Sequence, residues 1–122
     1  MPTAFEQMNQ ILKTLVQNTP DLEGAATVSF DGLILASVLP AGTDEDRGSA
    51  MAAALLSLGE RSVQELQRGT LEQVYVKGGN GYIILMQAGS EAVLEVIAGQ
   101  SAKLGMVLLD MKRAAQEIAR LL

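Results

Sequence analysis

The chain has 122 residues, 48% apolar but only 3% aromatic, and fourteen Asp and Glu against nine Lys and Arg leave it a net charge of −5. It contains no Cys and no His, which excludes disulfides, zinc sites of the usual Cys/His kind, thiolate nucleophiles and Ser-His-Asp catalysis. The acidic balance, with Lys112-Arg113 as the sole adjacent basic pair, has the wrong sign for generic nucleic-acid binding.

One domain over residues 1–122 is expected at this length. Such a chain buries roughly two-thirds of its unfolded surface and needs no covalent or metal staple. With no Trp and six Met, the core must be aliphatic, with Met as adaptable filler. Met1–Glu6 carries neither the basic nor the apolar stretch of a secretory signal. The longest charge-free stretch, Gly78–Ser90, is interrupted by four glycines and is too short to insert into a bilayer. A soluble, acidic, cytoplasmic domain is expected.

Thr3 to about Asn18 reads as a helix. Phe5, Met8, Leu12 and Leu15 recur at three- and four-residue spacing, and Thr3 with Glu6 has the form of a capping box. Pro20 stops the helix. Two apolar runs follow, Ala25–Phe30 and Leu33–Val38, separated by Asp31-Gly32. Asp-Gly at that position predicts a two-residue hairpin of type I′, with φ > 0 at both turn residues. Leu33-Ile34-Leu35-Ala36 does not alternate, so helices are expected on both faces of the sheet.

Arg47 to about Gln67 is the longest helix, capped at its start by Asp44 or Asp46 and closed by Gly69,. Met51, Leu55, Leu58 and Leu66 form one apolar stripe, and Ala52, Leu56, Gly59 and Val63 form a second beside it. Together they span about 160°, more than the roughly 100° that one core requires, so a partner is expected. The small residues Ala52 and Gly59 suggest the second stripe as the place where another helix approaches. Leu71–Lys77, Tyr82–Ala88 and Ala92–Ala98 read as three strands of an antiparallel meander joined by Gly-rich turns. A final helix covers Ala102–Leu122, with Ser101 as N-cap and Leu104, Leu108, Met111, Ala115, Ile118 and Leu122 as its buried stripe.

The motifs carry little chemistry. Gly79-Asn80-Gly81 runs from strand to strand, whereas a phosphate loop must open a helix. Asp44, Glu45 and Asp46 are the residue types of a hard-cation site, but acids ahead of a helix also serve as caps. Paired carboxylates such as Glu72 and Glu95 can do acid–base work without histidine, but each is read as a solvent-facing or edge position on a strand. Ser101 with Lys103, the residue types of a Ser-Lys nucleophile, is read as an N-cap and a surface Lys. Met51, Met106 and Met111 fall at core spacing. No catalytic residue, metal or cofactor is expected.

The order helix, Asp-Gly hairpin, helix, three-strand meander, helix resembles the Roadblock/dynein light chain family. The residues that carry the likeness are Leu22–Leu33, Met51–Leu58, Gly69-Thr70-Leu71 leading into Val74-Tyr75-Val76, the strand from Gly81, and Leu104-Gly105. The chain looks like a stand-alone prokaryotic member, similar to bacterial regulators of Ras-like GTPases. The resemblance implies an α+β, profilin-like αββαβββα fold. Its five-stranded antiparallel sheet has order 2-1-5-4-3, with the first and last helices on one face and the middle helix on the other. It also implies a homodimer through the middle helix and third strand, here Ala52, Leu56, Gly59 and Val63 with Leu71, Gln73 and Tyr75. The partner it implies is a Ras-like small GTPase facing Ser57, Glu60, Arg61, Gln64 and Arg68. On this reading Gly59→Glu and Leu56→Asp break the dimer and leave the monomer's core intact. A profilin-like small-molecule sensing module is the alternative, and it requires a pocket between the sheet and a helix.

Overall fold

The computed structural model describes residues 1–122. Helix α1 (Ala4–Asn18) leads into strands β1 (Leu22–Ser29) and β2 (Ile34–Val38), then helix α2 (Glu45–Glu65). Strands β3 (Val74–Gly78), β4 (Gly81–Ala88) and β5 (Ala92–Gly99) precede helix α3 (Leu104–Ala119). The sheet is antiparallel throughout, with order β2-β1-β5-β4-β3, so β1, β5 and β4 are its inner strands and β2 and β3 its edges.

Local chemistry sets the element boundaries. Thr3 Oγ1 accepts from the Glu6 N–H at 3.1 Å and starts α1; Asp44 Oδ1 accepts from the Arg47 N–H at 3.1 Å and starts α2. Each satisfies one of the donors that a helix N-terminus leaves unpaired. The last helix begins later than expected. Lys103, not Ser101, occupies its N-cap position, with no side-chain cap bond, because Gly99–Ala102 first form a turn closed from Ala102 N–H to Gly99 O.

The first hairpin is built differently from the expected type I′ turn. Its loop has three residues, Phe30-Asp31-Gly32, closed by Gly32 N–H to Ser29 O at 3.0 Å and Ser29 N–H to Leu33 O at 2.8 Å. Only Gly32 takes a positive φ, at 90°. Asp31 stays out of the left-handed region, and its carboxylate accepts from Ser29 Oγ, which in turn accepts from the Leu33 N–H. This is a three-residue loop with Gly at its left-handed position.

Both faces of the sheet are covered. On one face α1 (Met8, Leu12, Leu15) and α3 (Val107, Met111, Ala115, Ile118) pack on Ala25, Ile84, Met86, Leu94 and Val96. The two helices are tied by Thr19 Oγ1, which donates to Asp110 Oδ2 at 2.7 Å. On the other face α2 packs on Ala26, Val28, Leu85 and Val93 through Ala52 and Leu56. Because successive strand residues face opposite sides, the continuous apolar runs of β1 and β5 follow directly from this two-sided cover.

Candidate functional site

The candidate surface is built on α2. Ala52 and Leu56 are 1% and 2% exposed and face the sheet. Gly59 lies on the same line: a Cβ there would come within 2.8 Å of Val74 Cγ2 and 3.4 Å of Leu71 Cδ2. Met51 and Leu58, by contrast, are 55% and 59% exposed. The two stripes are therefore exchanged relative to the sequence expectation. Small residues at Ala52 and Gly59 let the helix settle onto its own sheet, and Met51, Leu58 and Leu66 are left outside. Leu56 is core and unavailable to a partner. Gly59→Glu would drive side-chain atoms into Val74, so neither substitution separates association from folding.

The free flank of α2 continues onto bare sheet. Val76, Ile83 and Ile97 are in register across β3, β4 and β5. They lie on the α2 face, two residues along from Val74, Leu85 and Glu95. Val76 and Ile83 are exposed and Ile97 half-buried. The opposite flank of α2 meets the hairpin tip, where Phe30, Ala53, Leu56, Ser57 and Glu60 line a notch of about 160 Å³. Met51, Leu55 and Leu58 thus look the other way, over the bare row. Beside that row the outer edge of β3 has no neighbouring strand. Of the remaining expected contact residues, Val63, Leu71 and Gln73 are half-buried and Tyr75 is exposed. A β3 edge with unpaired backbone groups next to an apolar helix flank is a template for a second chain.

The polar arc stands apart from this flank. Ser57, Arg61, Gln64 and Arg68 are exposed and Glu60 is half-buried, with Arg61 paired loosely to Glu65 at 3.9 Å. Ser57 and Glu60 form a wall of the Phe30 notch. Phe30 was not among the sequence candidates; its signal is an aromatic placed beside a hairpin turn, where the strand has no core left to fill.

Glu95 departs from the sequence expectation. It is not at an edge or facing solvent but on the inner strand β5, between Ala26 of β1 and Leu85 of β4, and only 9% exposed. Burial pushes its carboxyl from 4.5 up to about 7. The signal was present in the sequence: a lone acid inside Ala92–Ala98, a run apolar on both faces, has no solvent side to take. An acid with a folded pKa above its unfolded one costs nothing below pH 4.5, and stability is lost as pH rises from there to about 7,. At 1.36 kcal/mol per pKa unit, and discounted for partial solvent access, the loss is about 2 kcal/mol. Chemical denaturation between pH 5 and 8 should show this extra slope in the wild type and not in Glu95→Gln; equal slopes would refute the assignment.

With this geometry in place, the Roadblock/LC7 domain family matches residues 8–98. The chain belongs to the Roadblock/LC7 family. Two uncharacterised proteins of Methanocaldococcus jannaschii are each 37% identical to this Roadblock/LC7 chain over 103 residues, covering 84% of it and 90% of the relative. A Roadblock/LC7 domain from Streptomyces avermitilis superposes with a TM-score of 0.86 at 26% identity, covering 92% of this chain and 94% of that one. The gliding protein MglB of Thermus thermophilus gives 0.88 at 21% identity, covering 99% and 92%, and MglB has also been solved in a tetrameric arrangement. Profilin II of Acanthamoeba castellanii shares the architecture, with a TM-score of 0.68 at 16% identity over 93% and 97% of the two chains. The likenesses to MglB and profilin are of fold.

The other candidates fall elsewhere on the Roadblock/LC7 frame. Asp44 caps α2, and Glu45 accepts from Ser37 Oγ at 2.9 Å. Glu72 is exposed ahead of β3, and Ser101 and Lys103 are exposed ahead of α3. Gly79-Asn80-Gly81 belongs to the tight β3–β4 turn closed at the Gly78–Gly81 pair. Met111 is buried as expected, whereas Met106 is exposed. A groove of about 530 Å³ opens between α1 and α3 with no strand residue in its lining. A smaller one of about 310 Å³ lies between Met86 and Gln87 of β4 and Lys112, Ala115 and Gln116 of α3, the kind of sheet–helix opening that a sensing module requires,. No helix is long and apolar enough to cross a membrane.

Proposed function

We propose that the chain is a non-catalytic, cytoplasmic homodimeric adaptor that binds a Ras-like small GTPase and modulates or localises its activity. The observation that carries the reading is the uncovered apolar flank of α2, continuous with the bare row Val76–Ile83–Ile97 and the open β3 edge. A two-fold interface there pairs β3 with its copy through Gln73–Lys77 and packs Met51, Leu55 and Leu58 against their equivalents, removing an edge and an apolar patch together. Ala52, Leu56, Gly59 and Val63 support that helix from beneath, and Leu71 braces its end. Tyr75 flanks the strand pair from the opposite face of the sheet.

Dimerisation places two copies of the arc Ser57, Glu60, Arg61, Gln64 and Arg68 on one plate, which is the surface assigned to the GTPase. Family membership supports this choice of partner, and the arc's exposure leaves it free to make contact. The test is calorimetric titration with a Ras-like GTPase from the same genome, loaded with GDP or with a non-hydrolysable GTP analogue. Binding that prefers one nucleotide state and weakens about tenfold in Arg61→Ala/Arg68→Ala, as expected for the loss of rim and contact charges, supports the reading. Absence of binding in both states defeats it.

A further inference from the structure

We propose that Glu95 makes self-association of this domain proton-linked: a second copy laid on the free flank of α2 closes the remaining opening to the carboxyl, so that proton uptake from solvent accompanies dimer formation. The inference rests on the dimer proposed above and assigns its regulation.

Three observations converge. Glu95 sits one step in register from the uncovered row, since Leu85 and Glu95 pair across β4 and β5 as Ile83 and Ile97 do. Its carboxyl has no hydrogen-bond or ion-pair partner in the protein, and burial is the whole cause of its raised pKa. No charged group faces it from the elements around it. Strand β4 carries no charged residue, and β5 carries none other than Glu95 itself. On β1 the lone charge, Glu23, lies beside Gly99, four residues along β5 and thus about 13 Å away. The inward residues of α2 are Ser49, Ala52 and Leu56, and its free flank presents Met51, Leu55 and Leu58. The charged residues of α2 do not face the sheet: Glu45, Asp46, Arg47, Arg61 and Glu65 are exposed and Glu60 is half-buried beside the Phe30 notch.

A second apolar flank therefore brings desolvation and no compensating cation. Desolvation disfavours the ionised carboxylate, so covering the row favours the protonated form. A neutral carboxyl beside Leu85 and Ile97 is tolerated; a carboxylate there opposes closure. Because the interface is two-fold, the effect enters twice.

The test is the dimer dissociation constant by sedimentation equilibrium at pH 6.0, 7.0 and 8.5, for wild type and Glu95→Gln, with circular dichroism confirming the fold at each pH. Glu95→Met, of similar length and no charge, replaces Glu95→Gln if the amide variant does not fold. The expected result is wild-type association about eightfold tighter at pH 6.0 than at 8.5, as a further half-unit rise in each of two carboxyl pKa values gives over that range, with the neutral variants tight and flat across the range. A wild-type constant that does not move, or a pH dependence retained in the neutral variants, overturns the proton linkage and leaves the dimer standing. Monomers for every variant at every pH overturn the dimer and the linkage with it.

Discussion

Leu58→Glu is expected to dissociate the protein without unfolding it. Light scattering behind a sizing column should give the wild type a mass near twice the 12.9 kDa chain and the variant the mass of one chain. Leu58 is 59% exposed in the isolated chain, so the substitution costs the monomer no more than about 0.5 kcal/mol. In the proposed dimer it inserts a carboxylate into each of two symmetric contacts. At about 2 kcal/mol per lost central contact, the dissociation constant rises by about a thousandfold. Far-UV circular dichroism should be unchanged. A variant that keeps the dimer mass would remove the α2 flank from the interface.

Leu56→Asp, two residues away, is expected to do the reverse and destroy the fold. Leu56 is 2% exposed and packed among Ala26, Val28, Leu85 and Val93. Truncating a buried leucine costs about 2–5 kcal/mol, and a carboxylate left without a partner in an apolar site adds several more. The sum reaches the whole stability of an ordinary domain, about 5–15 kcal/mol. Loss of cooperative thermal unfolding and of soluble yield is the expected readout. A soluble variant with a native spectrum and an unchanged melting point would mean that α2 does not lie on the sheet as described. The contrast between the two variants is a direct test of which stripe of α2 faces inward.

That orientation is where the sequence stopped being sufficient. Residues 51–66 repeat an apolar pattern twice, about 100° apart, and periodicity reports two stripes without saying which one meets the sheet. From sequence, the small residues Ala52 and Gly59 in the second stripe suggest the approach of another helix. They are there because α2 crosses closely over its own β3, and Gly59 beside Val74 has no room for a Cβ. A close approach favours small side chains whether the surface approached belongs to the same chain or to another. The hairpin shows the same limit on a smaller scale. Asp31-Gly32 marked the turn, but the loop takes in Phe30 as well and closes between Ser29 and Leu33, so only Gly32 takes a positive φ.

Glu95 was legible in principle. An acid inside Ala92–Ala98 contradicts a run that is apolar on both sides, and such contradictions concentrate at positions with a function beyond packing. What sequence lacked was the strand order. Only when β5 lies between β1 and β4 does that residue become interior, with Ala26 and Leu85 on either side.

The sequence by itself determined the elements and their succession, because helix periodicity, capping residues and glycine turns act within a few residues of one another. It determined that both faces of the sheet are covered, since Leu33-Ile34-Leu35-Ala36 does not alternate and offers water no polar side,. It also determined what chemistry is missing, because Cys and His are absent from the chain altogether. The tertiary structure alone decided which flank of α2 is free, which strand edge stands beside it and that Glu95 is buried. Each of these depends on contacts between residues far apart in the chain, and an apolar or acidic residue has the same local signature whichever neighbour finally covers it.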